Sequence, residues 1–207
     1  MPERLAGVHR RVPDGTVALT FDDGPHPEST TRVLDQLAAL GVQATFFCVG
    51  LNARSHPEIV RRALAEGHVI GSHSLSHPAD DHTSPILLRR EYREGRRSIE
   101  DVVSADVSLF RPPYGYLSLG TAAVMRERCL SPWLWSVDPG DWQAGVTVDA
   151  IVSVAGGADS GDVVLLHDWV EQPWDPAARD RSATIDALPV IVESIRSRGL
   201  ELTTLPG

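Results

Sequence analysis

A chain of 207 residues, 42% hydrophobic and 23% charged, has the composition of one ordinary globular domain, which excludes disordered and fibrous classes. All 19 basic residues are arginine, so chemistry that needs a lysine, such as a Walker phosphate loop or a pyridoxal Schiff base, is excluded as well. A formal net charge of −9 argues against nonspecific nucleic-acid binding and against docking on anionic lipid.

The opening residues, Met1 to Arg11, contain no apolar stretch of the signal-peptide kind, and no later run reaches the roughly 18 apolar residues of a membrane span. The expectation is a cytoplasmic protein as the chain stands, or a secreted one if a leader preceded it. Residues 17–21 are the first apolar run of strand length. A helical pattern over 30–40 follows, with Val33, Leu34, Leu37 and Leu40 on one face and Gly41 as its stop. A second run, 44–49, contains Cys48, read as a small core hydrophobe, and a helix over 57–66 ends at Gly67. After a third run, 68–71, a helix spans 84–104, capped by Ser84, with Pro85 first and Leu88, Tyr92, Ile99 and Val102 or Val103 on one side.

The pattern continues with a strand at 108–111, a helix at 119–128, a strand at 134–137, a helix at 147–155 and a strand at 163–167. A last helix, 183–198, carries Ile185, Leu188, Ile191, Val192 and Ile195 as its buried stripe before a strand at 200–203. Cys129 is far from Cys48, and no disulfide framework is implied. No linker or repeat interrupts the alternation, which predicts one α/β domain over 1–207 with parallel strands and crossover helices. A barrel and an open doubly wound sheet both fit that pattern. Most polar clusters fall just after strands, where barrel enzymes keep their chemistry.

Five such clusters stand out. Thr20-Phe21-Asp22-Asp23-Gly24-Pro25 places two carboxylates at a strand end, which calls for a counter-charge; an Asp-rich turn is the plainer alternative. His73-Ser74-Leu75-Ser76-His77 has imidazoles at i and i+4, expected on one side of a helical turn and within reach of one divalent ion. With an Asp they make a three-ligand set that leaves room for water. Arg111-Pro112-Pro113-Tyr114-Gly115 puts an arginine beside a rigid turn, where it can pair with a neighbouring carboxylate. Val137-Asp138-Pro139-Gly140-Asp141-Trp142 is turn chemistry by itself. Leu165-Leu166-His167-Asp168 ends a buried strand in a histidine, a candidate acid or base when an aspartate from a neighbouring strand is near.

In this order the five clusters resemble the motifs of the polysaccharide deacetylase family, carbohydrate esterase family 4, also called the NodB homology domain. The likeness runs from about Val17 to Thr204 and includes Ala44-Thr45-Phe46-Phe47 and the segment Glu66 to His73. It implies a distorted (β/α)7-type barrel and a metal-dependent hydrolase that removes N-acetyl groups from a chitin- or peptidoglycan-like sugar polymer or oligomer. By resemblance, Asp23, His73 and His77 hold a divalent metal, zinc first, with cobalt, nickel or manganese also suited. Asp22 is the general base, paired with Arg111, and the backbone N–H of Tyr114 helps hold the oxyanion. His167 is the acid for the departing amine, supported by Asp141, with Asp138 the rival in the same turn; Trp142 and Leu165 wall the acetyl pocket.

Two features depart from the family pattern. The segment 168–181 is longer, more charged and more aromatic than a short connection, and Trp169 and Trp174 are candidate sugar-stacking residues or, alternatively, packing residues of the loop. The leaderless start raises the alternative of a small soluble N-acetylated substrate. An O-deacetylase is a further alternative, and a dead carbohydrate-binding barrel is disfavoured by the intact polar set. Oligomeric state is left open.

Overall fold

The computed structural model describes residues 2–79 and 84–206. Its elements follow in chain order: α1 (Pro2–Ala6), β1 (Thr16–Asp22), α2 (Ser29–Leu40), β2 (Thr45–Cys48), α3 (Gly50–Ser55), α4 (Pro57–Ala65), β3 (Val69–Ser72), α5 (Pro85–Val103), β4 (Leu109–Phe110), α6 (Leu119–Glu127), β5 (Ser131–Pro132), α7 (Val148–Ala155), β6 (Val163–His167), α8 (Ser182–Ser197) and β7 (Glu201–Thr203). The apolar runs become buried strands because a parallel strand is covered on both faces and tolerates little polarity. α2 stops where expected: Gly41 is left-handed, and its N–H caps the last carbonyls. The Ser84 side chain accepts from the Leu87 N–H, the cap anticipated for α5.

The sheet order is β5-β4-β3-β2-β1-β6, with β7 also paired to β1, and every pairing is parallel. This is a distorted seven-stranded β/α barrel. Its main core lies between sheet and helices, built from Leu19, Phe21, Leu34, Leu37, Phe46, Ile151, Leu166, Leu188 and Ile191 among others. Among the described residues no helix is long and apolar enough to cross a membrane.

Two expectations change here. The strand placed at 134–137 is not regular: pairing with β4 falls on Ser131–Pro132, and Val137 makes only an isolated bridge to Val164. The chain must cross from β5, at one end of the sheet order, to β6 at the other. The N-terminal residues bridge those two ends, with His9 donating its N–H to Pro132 and accepting from Leu134, and Val12 donating to Gly161. The short helix α3 was not anticipated, because six residues carry no periodic stripe. Its start serves the rim directly: the N–H groups of Val49, Gly50 and Leu51 donate to the carbonyls of Gly24, Ser74 and Leu75. Donors that a helix start leaves free thus fasten the loops after β1 and β3. Gly95 of α5 permits this approach, since a Cβ there would stand 2.3 Å from the Ser74 carbonyl carbon.

Candidate active site

Asp22 ends β1 and lies in register with Phe47 of β2 and His167 of β6, so three strand ends bring the first and last clusters together. The backbone turns at Asp23 into the left-handed region (φ 76°), aiming two adjacent carboxylates in different directions. Gly24 is obligatory: a Cβ there would sit 1.9 Å from Asp168 Oδ2. Asp168, not among the expected site residues, is buried and accepts from the Gly24 N–H and the Thr30 hydroxyl. Burial, with a further push from Asp23, raises its carboxyl to about 7 despite those bonds. The sequence signal for it was its position directly after His167.

His73 and His77 do converge with Asp23, though not from a helix as the spacing suggested. They lie on a loop in which Ser74 (φ 67°) and His77 (φ 56°) are left-handed. His73 Nε2 is 3.4 Å and His77 Nε2 3.3 Å from Asp23 Oδ1, and all three residues are buried. A tetrahedral centre with bonds of about 2.0–2.1 Å has its ligand atoms about 3.3 Å apart. Asp23 Oδ1 has no hydrogen-bond partner among the described residues, a costly state that a cation would relieve. His73 Nδ1 lies 2.7 Å from the Arg111 carbonyl; that bond requires the Nδ1–H tautomer and leaves Nε2 with a lone pair.

The ionisation of Asp23 and His77 suits a cation, while His73 leans towards its protonated form and would lose that proton to an ion. Burial alone would raise Asp23, but the His77, His73 and His167 imidazoles outweigh it and hold the carboxyl well below the usual range. Burial takes His77 down to about 4 against the pull of Asp23, which keeps its ring neutral. For His73, burial is outweighed by Asp22 and Asp23, and the shift is upward.

Arg111 is fully buried. Its Nη1 donates to Asp22 Oδ1 at 2.7 Å and to Thr20 Oγ1 at 2.8 Å, and its Nε donates to the Trp133 carbonyl at 3.0 Å. The guanidinium lies 4.2 Å over the Phe47 ring and 5.7 Å from that of Trp135. One carboxylate therefore faces an arginine, and its neighbour faces two imidazoles.

Across the cleft, Asp141 is saturated. Its Oδ1 meets His167 Nδ1 at 2.8 Å, while Oδ2 accepts from the His167 N–H and the Thr184 hydroxyl, each at 2.9 Å. Buried Arg181 holds the Asp141 carbonyl at 2.6 Å. Burial would lower His167, but the Asp141 charge and bond dominate and raise it from 6.5 to about 9. Asp138 instead accepts from its own turn at Gly140, which separates it from its neighbour in sequence.

These groups open on a cavity of about 560 Å³ lined by Tyr114, Trp135, Trp142, Leu165, Trp174 and His167, among others. Tyr114 is itself left-handed (φ 57°), its ring edge-on to His77. Trp135 was missed because the expected strand concealed that it faces the cleft. Trp174 is fully exposed on the wall. Trp169, expected beside it, does not line the cavity; it stacks on His26 at 3.8 Å with the Arg179 guanidinium 5.3 Å from its ring centre, and so packs the 168–181 loop.

The chain is similar to known proteins over most of its length. A family model described as polysaccharide deacetylase matches residues 9–130. A peptidoglycan-N-acetylglucosamine deacetylase of Bacillus cereus is 36% identical over 192 residues, covering 91% of this chain and 85% of that protein. A chitooligosaccharide deacetylase of Rhizobium leguminosarum bv. trifolii is 36% identical over 199 residues, covering 93% and 91%. Among solved structures, a peptidoglycan N-acetylglucosamine deacetylase in complex with an N-oxidanyl-benzamide superposes with a TM-score of 0.86 at 34% identity, covering 96% of this chain and 91% of that one. The chain belongs to the polysaccharide deacetylase family.

Proposed function

We propose that this protein is a metal-dependent N-deacetylase of an N-acetylated sugar polymer or oligomer, cleaving the amide to release acetate and a free amine. The observation that carries the reading is the unsatisfied Asp23 oxygen held 3.3–3.4 Å from two buried imidazole nitrogens, beside a separately paired carboxylate. Asp23, His73 and His77 would hold the ion, with zinc the best match to one carboxylate and two imidazoles. When bound, such an ion polarises a carbonyl and makes water acidic near neutral pH.

The remaining steps belong to the chain. Asp22 takes the proton of the attacking water, and the Arg111 guanidinium at 2.7 Å holds that carboxylate in place. The new bond joins water oxygen to the acetyl carbon, and the Tyr114 N–H supports the oxyanion. The C–N bond then breaks as His167 protonates the nitrogen, an acid being required because an amine leaves poorly as an anion. Asp141 holds the imidazolium in place for that step. Leu165 and Trp142 enclose the acetyl methyl, and Trp174 offers a flat face to a sugar ring.

The names of the relatives support a sugar substrate, and a cleft this wide, with an exposed tryptophan at its wall, suits an oligomer better than a lone acetyl amino acid. The test is release of acetate by the zinc-loaded protein from N-acetylglucosamine oligomers, peptidoglycan, acetylated xylan and small N-acetyl amino sugars. Turnover of the N-acetylated oligomers or polymer is expected. Activity confined to acetylated xylan or to small amino sugars would overturn this reading.

A further inference from the structure

The 168–181 loop does more than wall the cleft; it is fastened to a metal-site residue. The Glu171 N–H donates to Asp23 Oδ2 at 2.9 Å. Its side-chain Oε2 accepts from Asn52 Nδ2 at 2.8 Å, and the same Asn52 amide donates to the Asp23 carbonyl at 2.9 Å. One amide nitrogen therefore bridges the loop and the backbone of Asp23. Asn52 lies in the first turn of α3, whose leading N–H groups already hold the Gly24, Ser74 and Leu75 carbonyls. Gln172 adds a long contact to the Ser76 carbonyl at 3.4 Å, between the two histidines.

Asp23 needs this support. Its left-handed backbone is uncommon outside glycine, although aspartate tolerates it better than most residues, and its Oδ1 must stay free for an ion while Oδ2 is restrained. Without a donor on Oδ2 the carboxylate can rotate about its terminal torsion, a soft motion that moves Oδ1 out of line with the imidazoles. The contacts come from two segments remote in sequence, and neither belongs to the five polar clusters.

We propose that Asn52 and Glu171 are positioning residues that latch the 168–181 loop onto Asp23 and set its orientation toward the ion, so that the loop carrying Trp174 and the metal site tighten together. The inference rests on Asp23, His73 and His77 being the metal ligands. Because the coupling is thermodynamic, it is reciprocal: ordering the loop raises metal affinity, and filling the metal site orders the loop.

The experiment is competition for Zn²⁺ between the metal-free full chain and a chromophoric chelator, comparing the parent with Asn52→Ala, Glu171→Ala, the double variant and Glu171→Gln. The single alanine variants are expected to weaken zinc binding by about 10- to 100-fold, the range found when partners of metal ligands are removed. The double variant should fall well short of the product of the two losses, since both act through one bridge. Glu171→Gln keeps an acceptor for Asn52 and should stay close to the parent, which general loosening of a loop would not explain. Parent-like affinity in both alanine variants would overturn the latch while leaving the metal site intact. A parent that binds no zinc at a single site would instead overturn the metal reading and the latch together. Glu171 lies on a surface loop outside the core, so its variants report even if Asn52→Ala destabilises the fold.

Discussion

On one side of the cleft Asp23, His73 and His77 are gathered with a carboxylate oxygen left unpaired; on the other, Asp141 has every acceptor engaged by His167 and Thr184. Both sides are buried, and both depend on an aspartate and imidazole, yet they are built to opposite rules. A buried polar atom without a partner is costly, so the first cluster is complete only with a cation supplied from outside. The second is complete as folded and uses its carboxylate to hold a proton on His167. The contrast separates a place that binds charge from a place that stores a proton, and it does so within one row of strand ends.

The largest effect should come from breaking the incomplete side. Replacing His73 or His77 with Ala is expected to abolish stoichiometric zinc, measured by metal analysis of the purified protein, and to lower deacetylation by at least about 10³-fold, since an ion of this kind contributes several kcal/mol to such a reaction. Asp22→Asn should lower kcat by about 10² to 10⁴ while zinc stays bound, because the base is lost and the ligands are not. Retained metal with full turnover in that variant would remove Asp22 from the mechanism.

The complete side is probed by leaving group. His167→Ala should cost about 10² to 10⁴ on an amide and much less on an activated aryl ester, whose leaving group needs no proton. Equal losses would reject His167 as the acid. A gentler change is Asp141→Asn. His167 acts protonated and is held at about 9 by Asp141, so the parent's rate should fall as pH rises through that region. Removing the charge lowers the imidazole's pKa, and the alkaline limb of kcat should move to lower pH. The same sign governs stability: the pair contributes fully below about 6.5, and its contribution fades as pH rises through about 9. The smallest effect is expected for Trp174→Ala, a rise in KM of about tenfold for an oligomer with little change in kcat, because an exposed ring binds without touching the reacting atoms.

Much of this was legible in the sequence because buried parallel strands need uninterrupted apolar runs, and strands 17–21, 44–49 and 163–167 had them. The polar residues ending those runs therefore fall on one rim by pattern alone. What was not legible depended on partners distant in the chain. The segment 134–137 has a strand's composition, but its hydrogen bonds are divided between the N-terminal residues His9 and Arg10 and β6. The loop bearing His73 and His77 reads as a helical turn, since nothing in Ser74 or His77 announces a left-handed backbone. Trp169 and Trp174 are alike by composition, and only the position of His26 decides that the first packs inward. Asn52 and Glu171 belong to no polar cluster, so the donors that restrain Asp23 could be found only in three dimensions.

The most direct test is anomalous X-ray diffraction at the zinc edge from crystals of the zinc-loaded protein. A single strong peak bonded to Asp23 Oδ1, His73 Nε2 and His77 Nε2 at about 2.0–2.2 Å is the predicted result. Zinc elsewhere, or no peak among these three side chains, would contradict the account.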